Sequence, residues 1–240
     1  MRIDAVYLIS GVDQETLKQR ANMLQRFASP GTDVRIVQTS HAPPSVESQA
    51  EMDLAAPGIL ERAVRSEKEG ADAVIIWGGH DPSLVSAREM VSIPVLGPGM
   101  ASMYIASMLA NQFSLLIQTS SVTGIAQRQV RDLGLEGRCV SIRPVEVRVL
   151  DLFKTESFEA VKKTAIAAIE EDGAHAICMG CMGLMGHTEP LTHSLSKSHP
   201  GIIVIHPGQA VLRLAELLVG MGLSHSKKSF PYPPKEVAFY

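Results

Sequence analysis

EGADAVIIWGGHDPSLVSAREMVSIPVLGPGMASMYIASML, residues 69–109, can be laid on DGAHAICMGCMGLMGHTEPLTHSLSKSHPGIIVIHPGQAVLRLAELL, residues 172–218, with a short insertion in the second. Ala71, Ala73, Ile75 and Gly78 then fall on Ala174, Ala176, Cys178 and Cys181. Past the insertion, Pro98, Gly99, Ala101, Ala106 and Leu109 fall on Pro207, Gly208, Ala210, Ala215 and Leu218. Self-similarity on this scale decides the architecture before any local signal is weighed, and it reads as two similar halves.

The content of each half follows from alternation. Short β-rich runs at 4–10, 33–39, 72–78, 93–99, 113–119, 139–145, 175–181 and 202–208 are separated by helix-length segments, the pattern of parallel sheets with helices on their faces. One helix places Leu17, Ala21, Leu24 and Phe27 on a single face, and another places Val211, Leu214, Leu217 and Leu218 likewise, so both stripes are expected in the core. The fold class is α/β with two pseudo-symmetric parallel-sheet domains. The first is expected to comprise residues 1–97 plus 209–240, the second residues 98–208. Ligands of open α/β sheets bind outside the carboxyl ends of the strands, so the active site is expected in the interdomain cleft, fed by GGHDPSL from one half and CMGLMGH from the other.

Composition narrows the function classes. A formal charge of −3, without runs of Lys or Arg, leaves no electrostatic footprint for nucleic acid or an anionic membrane. No stretch approaches the roughly 20 apolar residues of a membrane span, and the short apolar run near the N-terminus meets charge too soon for a signal peptide. Three cysteines, Cys139, Cys178 and Cys181, are too few for a disulfide framework and suit a reducing compartment. A cytoplasmic location and a small-molecule substrate are therefore expected, with neither nucleic acid nor membrane as partner.

Cys181 closes an apolar run and opens a glycine-rich turn. There the helix N-terminus and nearby backbone N–H groups are expected to lower its pKa from the usual ~8.5, and the same N–H groups suit a carboxylate or enolate oxygen. The alternative reading is a small inert core residue, the commoner fate of a free cysteine. CMGC does not read as a metal site, because no second His/Cys pair stands at a ligand spacing.

The stretches DAVIIWGGHDPSLVSAREMVSIPVLGPG, AICMGCMGLMG and AVLRLAELLVGMGLSHSKKSFPYPP resemble the aspartate/glutamate/hydantoin racemase superfamily, nearest to its hydantoin and allantoin racemase branch, over nearly the whole chain. The resemblance implies a pseudo-symmetric two-domain fold and a mechanism without any cofactor, in which two cysteines flank the substrate and exchange the α-proton from opposite faces. Cys181 matches the second cysteine, while the position of the first, three residues before the Asp-Pro pair, is Gly78. The family's Asn-Pro-Asn element after the first strand is also replaced, by LISGVDQET, where Ser10 or Asp13 stands in its place.

His80 is the natural substitute for the missing thiol, because it lies in the same loop and an imidazole titrates near neutrality; its alternative role is to cap the helix beginning near Asp81 and Pro82. A single-cysteine reading is open too: the arylmalonate decarboxylase branch has glycine at the first position and one cysteine at the second. A third reading is a catalytically silent homologue that binds a small carboxylate. Gly78, Gly79, Met182 and Gly183 are expected to line the substrate together with Ser10. Thr119, Ser120 and Ser121 either bind a carboxylate or ring carbonyl or serve as a helix cap. His187 faces either the cleft or solvent, and His206, Ser45 and Glu47 are weaker candidates. The expected activity is that of a cofactor-independent isomerase acting on a carbon acid next to a carboxylate or ring carbonyl. Family members are often dimers or larger, and the apolar helix 100–109 offers a surface for a homo-oligomer.

Overall fold

A computed structural model of the chain describes residues 1–152, 154–235, 237 and 239. All eight β-rich runs form strands: β1 (Arg2–Tyr7), β2 (Asp33–Gln38), β3 (Ala73–Trp77), β4 (Val95–Leu96), β5 (Phe113–Ile117), β6 (Cys139–Pro144), β7 (Ala176–Met179) and β8 (Ile203–Ile205). Between and after them lie α1 (Gln14–Gln25), α2 (Gln49–Lys68), α3 (Leu84–Met90), α4 (Pro98–Leu109), α5 (Thr123–Asp132), α6 (Phe158–Glu170), α7 (Thr188–Ser198) and α8 (Pro207–Gly220). None of the described helices is long and apolar enough to cross a membrane.

The strands form two parallel sheets with the same order, β2-β1-β3-β4 and β6-β5-β7-β8. Contacts divide the chain into two units: Met1–Val46, Ala50–Gly97 and Val211–Tyr240 form one, while Glu47–Gln49 and Pro98–Ala210 form the other. The duplication extends to register. Ala73 pairs with Ile3 as Ala176 pairs with Phe113, and Ile75 pairs with Leu96 as Cys178 pairs with Ile205.

Both sheets are covered by apolar side chains, as central parallel strands require. In the first unit Ile3, Leu24, Ile59, Ile75 and Ile76 are fully buried. In the second, Leu116, Ile177 and Met179 pack with Leu152, Val161, Ala165, Leu184 and Leu191. Each fully buried aliphatic side chain contributes on the order of 1.5–3 kcal/mol.

Several boundaries differ from the sequence reading, for physical reasons. The apolar runs overshoot their strands at the carboxyl end, since their last residues form strand-end loops. The run 93–99 keeps only two strand residues, because Pro94 precedes them and Pro98 opens α4, where its fixed φ suits a first helical turn. α1 stops at Gln25, so Phe27 lies beyond it. The expected core face of α8 is also corrected. Val211, Leu212 and Ala215 are buried, whereas Leu217 is 54% exposed, being about 240° around the helix from Val211 at 100° per residue.

Candidate functional site

In the second unit, the carboxyl ends of β5, β6 and β7 bring several of the expected residues together. Cys181 follows β7 with extended backbone (φ −138°, ψ 138°) and caps a 3-10 helix at Met182–His187, its Sγ accepting the Gly183 N–H at 3.4 Å. Glycine on either side is required by close approach. A Cβ on Gly180 would come within 2.7 Å of the Leu116 carbonyl oxygen, and one on Gly183 would meet Leu152 at 3.0 Å. Met182 and Gly183 are buried beside the thiol, and Cys181 itself is 9% exposed.

That burial reverses the expectation of a lowered pKa. Desolvation penalises the thiolate and pushes Cys181 up to about 11; the Gly183 and Leu184 N–H groups oppose the shift, and the Glu47 carboxylate adds to it. The thiol is therefore protonated at neutral pH. Cys178 is wholly buried in β7, with its thiol toward the Ser102 carbonyl and its pKa raised well above the ordinary value by burial. Cys139 lies at the start of β6, where burial again raises its pKa, to about 11.

Glu47 reaches this strand-end region from the connection between β2 and α2. Its carboxylate accepts the Val149 N–H at 3.1 Å and lies 3.7 Å from Arg148 Nε, and its backbone carbonyl accepts a hydrogen bond from Ser121 Oγ at 3.1 Å. Thr119 Oγ1 and Ser121 Oγ are 2.8 Å apart. Thr119 occupies the cap position of the 3-10 helix Ser120–Val122, yet its side chain makes no capping bond, so the alternative capping role is not used there. Ser120 and Ser121 are exposed.

His187 turns to neither side foreseen for it. It is buried, with Nε2 2.7 Å from the Leu152 carbonyl and 2.8 Å from Ser157 Oγ, and its ring packs near Phe158. Because Leu152 abuts Gly183, His187 props the wall behind the Cys181 turn. His206 caps α8, its Nδ1 accepting the Gln209 N–H at 3.1 Å.

In the first unit, the loop after β3 folds tightly. Asp81 N–H donates to the Gly78 carbonyl at 2.9 Å, and two non-glycine residues, Asp81 (φ 52°) and Ser83 (φ 58°), take the left-handed conformation, a cost of about 1–3 kcal/mol each that the surroundings must sustain. Gly79 is buried and His80 half-buried. α3 starts at Leu84 with Ser83 in the cap position, so His80 is not the cap. Gly78 is enclosed: a Cβ there would overlap Leu8 Cδ2 and come within 2.9 Å of Pro82 Cδ. Ser10 ties down the β2–α2 connection, its hydroxyl donating to the Ala42 carbonyl and its N–H to the Pro43 carbonyl at 3.1 Å. Asp13 caps α1, accepting the Thr16 N–H at 2.8 Å, which holds its carboxyl below the usual range. Ser45 is half-buried.

Sequence reading passed over Leu8, Leu152 and Gln118. Leu8 and Leu152 are apolar residues whose meaning lies in the glycine each abuts; Gln118 is a buried amide at the end of β5.

Two α/β units share one strand order, one following β7 with a buried thiol and the other following β3 with an enclosed glycine, which defines a duplicated α/β scaffold. The Asp/Glu/Hydantoin racemase family matches residues 14–215, and the chain belongs to that family. A hydantoin racemase of Pseudomonas sp. (strain NS671) is 34% identical over 214 residues, spanning 87% of this chain and 83% of that protein. The structure of an allantoin racemase from Klebsiella pneumoniae matches with a TM-score of 0.90 at 28% identity, covering 98% of this chain and 94% of the other. That of arylmalonate decarboxylase matches with a TM-score of 0.63 at 16% identity, over 92% and 94% of the two chains, a likeness of fold alone.

Proposed function

We propose that the chain is an isomerase that inverts a carbon next to a ring carbonyl or carboxylate, with a five-membered cyclic ureide of the hydantoin or allantoin kind as its substrate. The observation that carries this reading is Cys181, a protonated thiol at a strand end, set in a glycine turn. The hydantoin racemase and allantoin racemase relatives supply the substrate class.

A thiol held near pKa 11 is a proton donor at neutral pH. A base removes the α-proton from one face of the substrate, the electron pair moves into the adjacent carbonyl as an enolate, and Cys181 gives its proton to the other face. The reverse reaction returns that proton to the thiolate. Bound substrate and the Gly183 and Leu184 N–H groups stabilise the thiolate transiently. Thr119, Ser120 and Ser121 hold a carbonyl of the ring, and Met182 supplies apolar wall. Residue 78 carries no side chain, so the second acid/base is assigned to His80.

The test is proton NMR in heavy water with 5-substituted hydantoins and allantoin, followed also by optical rotation. Wild type is expected to exchange the α-proton and lose rotation together. Cys181→Ala should lower inversion by 10²-fold or more, the usual worth of a positioned acid/base, and confine any remaining exchange to the enantiomer whose α-proton faces the other base. His80→Ala should abolish inversion while leaving exchange in a single enantiomer. Full inversion in Cys181→Ala would sink the reading. The enclosure of Gly78 by Leu8 and Pro82 favours one specific alternative, a single-thiol decarboxylase. Release of carbon dioxide from an aryl- or alkylmalonate with one enantiomer of product, and no inversion of any hydantoin, would put that reading in its place.

A further inference from the structure

The duplicated register locates a residue that the reaction above does not use. Ile3 pairs with Ala73 in the first sheet, and Phe113 with Ala176 in the second. Five residues beyond these pairs stand Leu8 and Gly78 in the first unit, and Gln118 and Cys181 in the second. Register-mates on neighbouring parallel strands point to the same side of a sheet. In the second unit the backbone stays extended past the strand ends, at Thr119 (φ −142°, ψ 161°) as at Cys181, so Gln118 and Cys181 continue one row.

Gln118 is 2% exposed, and its Oε1 has no hydrogen-bond partner among the described residues. An acceptor buried without a donor is destabilising, and nearly all such groups in folded proteins are satisfied. The equivalent place in the first unit is filled at no such cost by Leu8. An unfilled acceptor kept in register with a strand-end thiol is suited to a donor that arrives with a ligand.

We propose that Gln118 is a substrate-reading residue: its side-chain carbonyl accepts the N–H carried by the carbon that Cys181 protonates. This rests on the isomerase reading and deepens it. The substrate class becomes carbon acids with an N–H on the reacting carbon, such as cyclic ureides. Carbon acids without that N–H, arylmalonates among them, leave the Gln118 acceptor buried and unpaired and are selected against.

The experiment compares wild type with Gln118→Leu on a 5-alkylhydantoin and on its N1-methyl analogue, which lacks the N–H next to C5. Three quantities are measured: kcat/KM for deuterium exchange at C5, the rise in Tm produced by each compound, and the Tm of the free protein. Wild type is expected to prefer the N1–H compound at least tenfold. Gln118→Leu is expected to lose at least tenfold on that compound, to stay within about twofold of wild type on the methylated one, and to keep or raise the free-protein Tm. An unchanged preference overturns the proposal, as does an equal loss on both compounds with a fallen Tm, which marks a purely structural role. If wild type exchanges neither compound, the isomerase reading fails, and Tm decides for Gln118. A larger ligand-induced rise with the N1–H compound that Gln118→Leu abolishes then supports the proposal. Equal rises in wild type and variant, or no rise in wild type, overturn it.

Discussion

At residue 78 the missing side chain is a matter of space as well as chemistry. A Cβ there would overlap the end of Leu8 and press on Pro82, whose ring is fixed to the backbone and gives little way. Overpacking of this sort costs typically about 1–3 kcal/mol, so Gly78→Cys is expected to lower stability by that amount. Leu8 is buried, and Leu8→Ala by itself costs about 2–5 kcal/mol through the cavity it leaves. The two changes share one volume, so the double variant should be more stable than the sum of the single losses, by a coupling of about 1 kcal/mol or more. Urea unfolding of the four proteins measures this directly, and strict additivity would refute the packing argument. Cys181 was legible in the sequence, because a thiol in a glycine turn after an apolar run is a visible pattern. Its pKa was not: helix-terminal N–H groups lower it, and only the structure shows that burial outweighs them.

At the level of elements, the segment after α8 clasps the edge of the first sheet. Lys227 Nζ donates to the carbonyls of Arg88 (2.7 Å) and Val91 (2.6 Å) at the end of α3, where a cation suits both the helix-terminal carbonyls and the negative end of the helix dipole. His225 Nε2 lies 2.8 Å from the Val95 nitrogen and 2.9 Å from its oxygen, standing in for a neighbouring strand beside β4. Burial, followed by the Arg88 and Lys227 cations, lowers its pKa from 6.5 to about 4, against the Val95 carbonyl; the Phe230 ring lies edge-on beside it. The folded pKa thus lies below the unfolded one, and the unfolded chain binds the extra proton between them. The contribution of His225 is complete above about pH 6.5 and is lost as pH falls toward 4. Tm should drop over that interval, and His225→Gln should flatten the drop; parallel profiles for the two proteins would disprove it. All eight strands of this architecture could be read from the β-rich runs, because the central parallel strands are buried and mostly apolar, while the half-buried edge strands β2 and β6 keep β-branched residues among their polar ones. The face of α8 could not be read from hydrophobicity alone. Leu217 is as apolar as Leu212, and only the buried position of Glu216, which accepts from Ser29, shows which way the helix turns.

For the whole molecule, the repeat alone sufficed to indicate two units of like strand order, because duplicated spacing survives divergence of the side chains it spaces. What it concealed is the asymmetry. Gln118 and Leu8 hold equivalent places, but one is a buried amide five residues past a register pair and the other fills the space beside residue 78, a difference that appears only when register is known. A further asymmetry lies in chain order. The four strands and four helices α4 to α7 of the second unit are complete within residues 98–210, whereas the first unit takes its last segment, Val211–Tyr240, from the far end of the chain. That segment buries Val211, Leu212 and Ala215 and carries Glu216, which accepts the Ser29 N–H at 2.7 Å and its hydroxyl at 2.9 Å. Two fully buried aliphatic side chains alone are worth on the order of 3–6 kcal/mol, comparable with the 5–15 kcal/mol that typically holds a domain folded. Removal of residues 211–240 is therefore expected to abolish hydrogen-exchange protection in β1 to β4 while amides of β5 to β8 stay protected, and proteolysis should yield a resistant fragment beginning near residue 98. Protection retained in both sheets would show that the C-terminal segment merely decorates the first unit. Loss in both would show that the second unit needs the first in order to fold. During synthesis the same dependence orders the events: the second sheet can close before the first is complete, since domains fold as their segments become available.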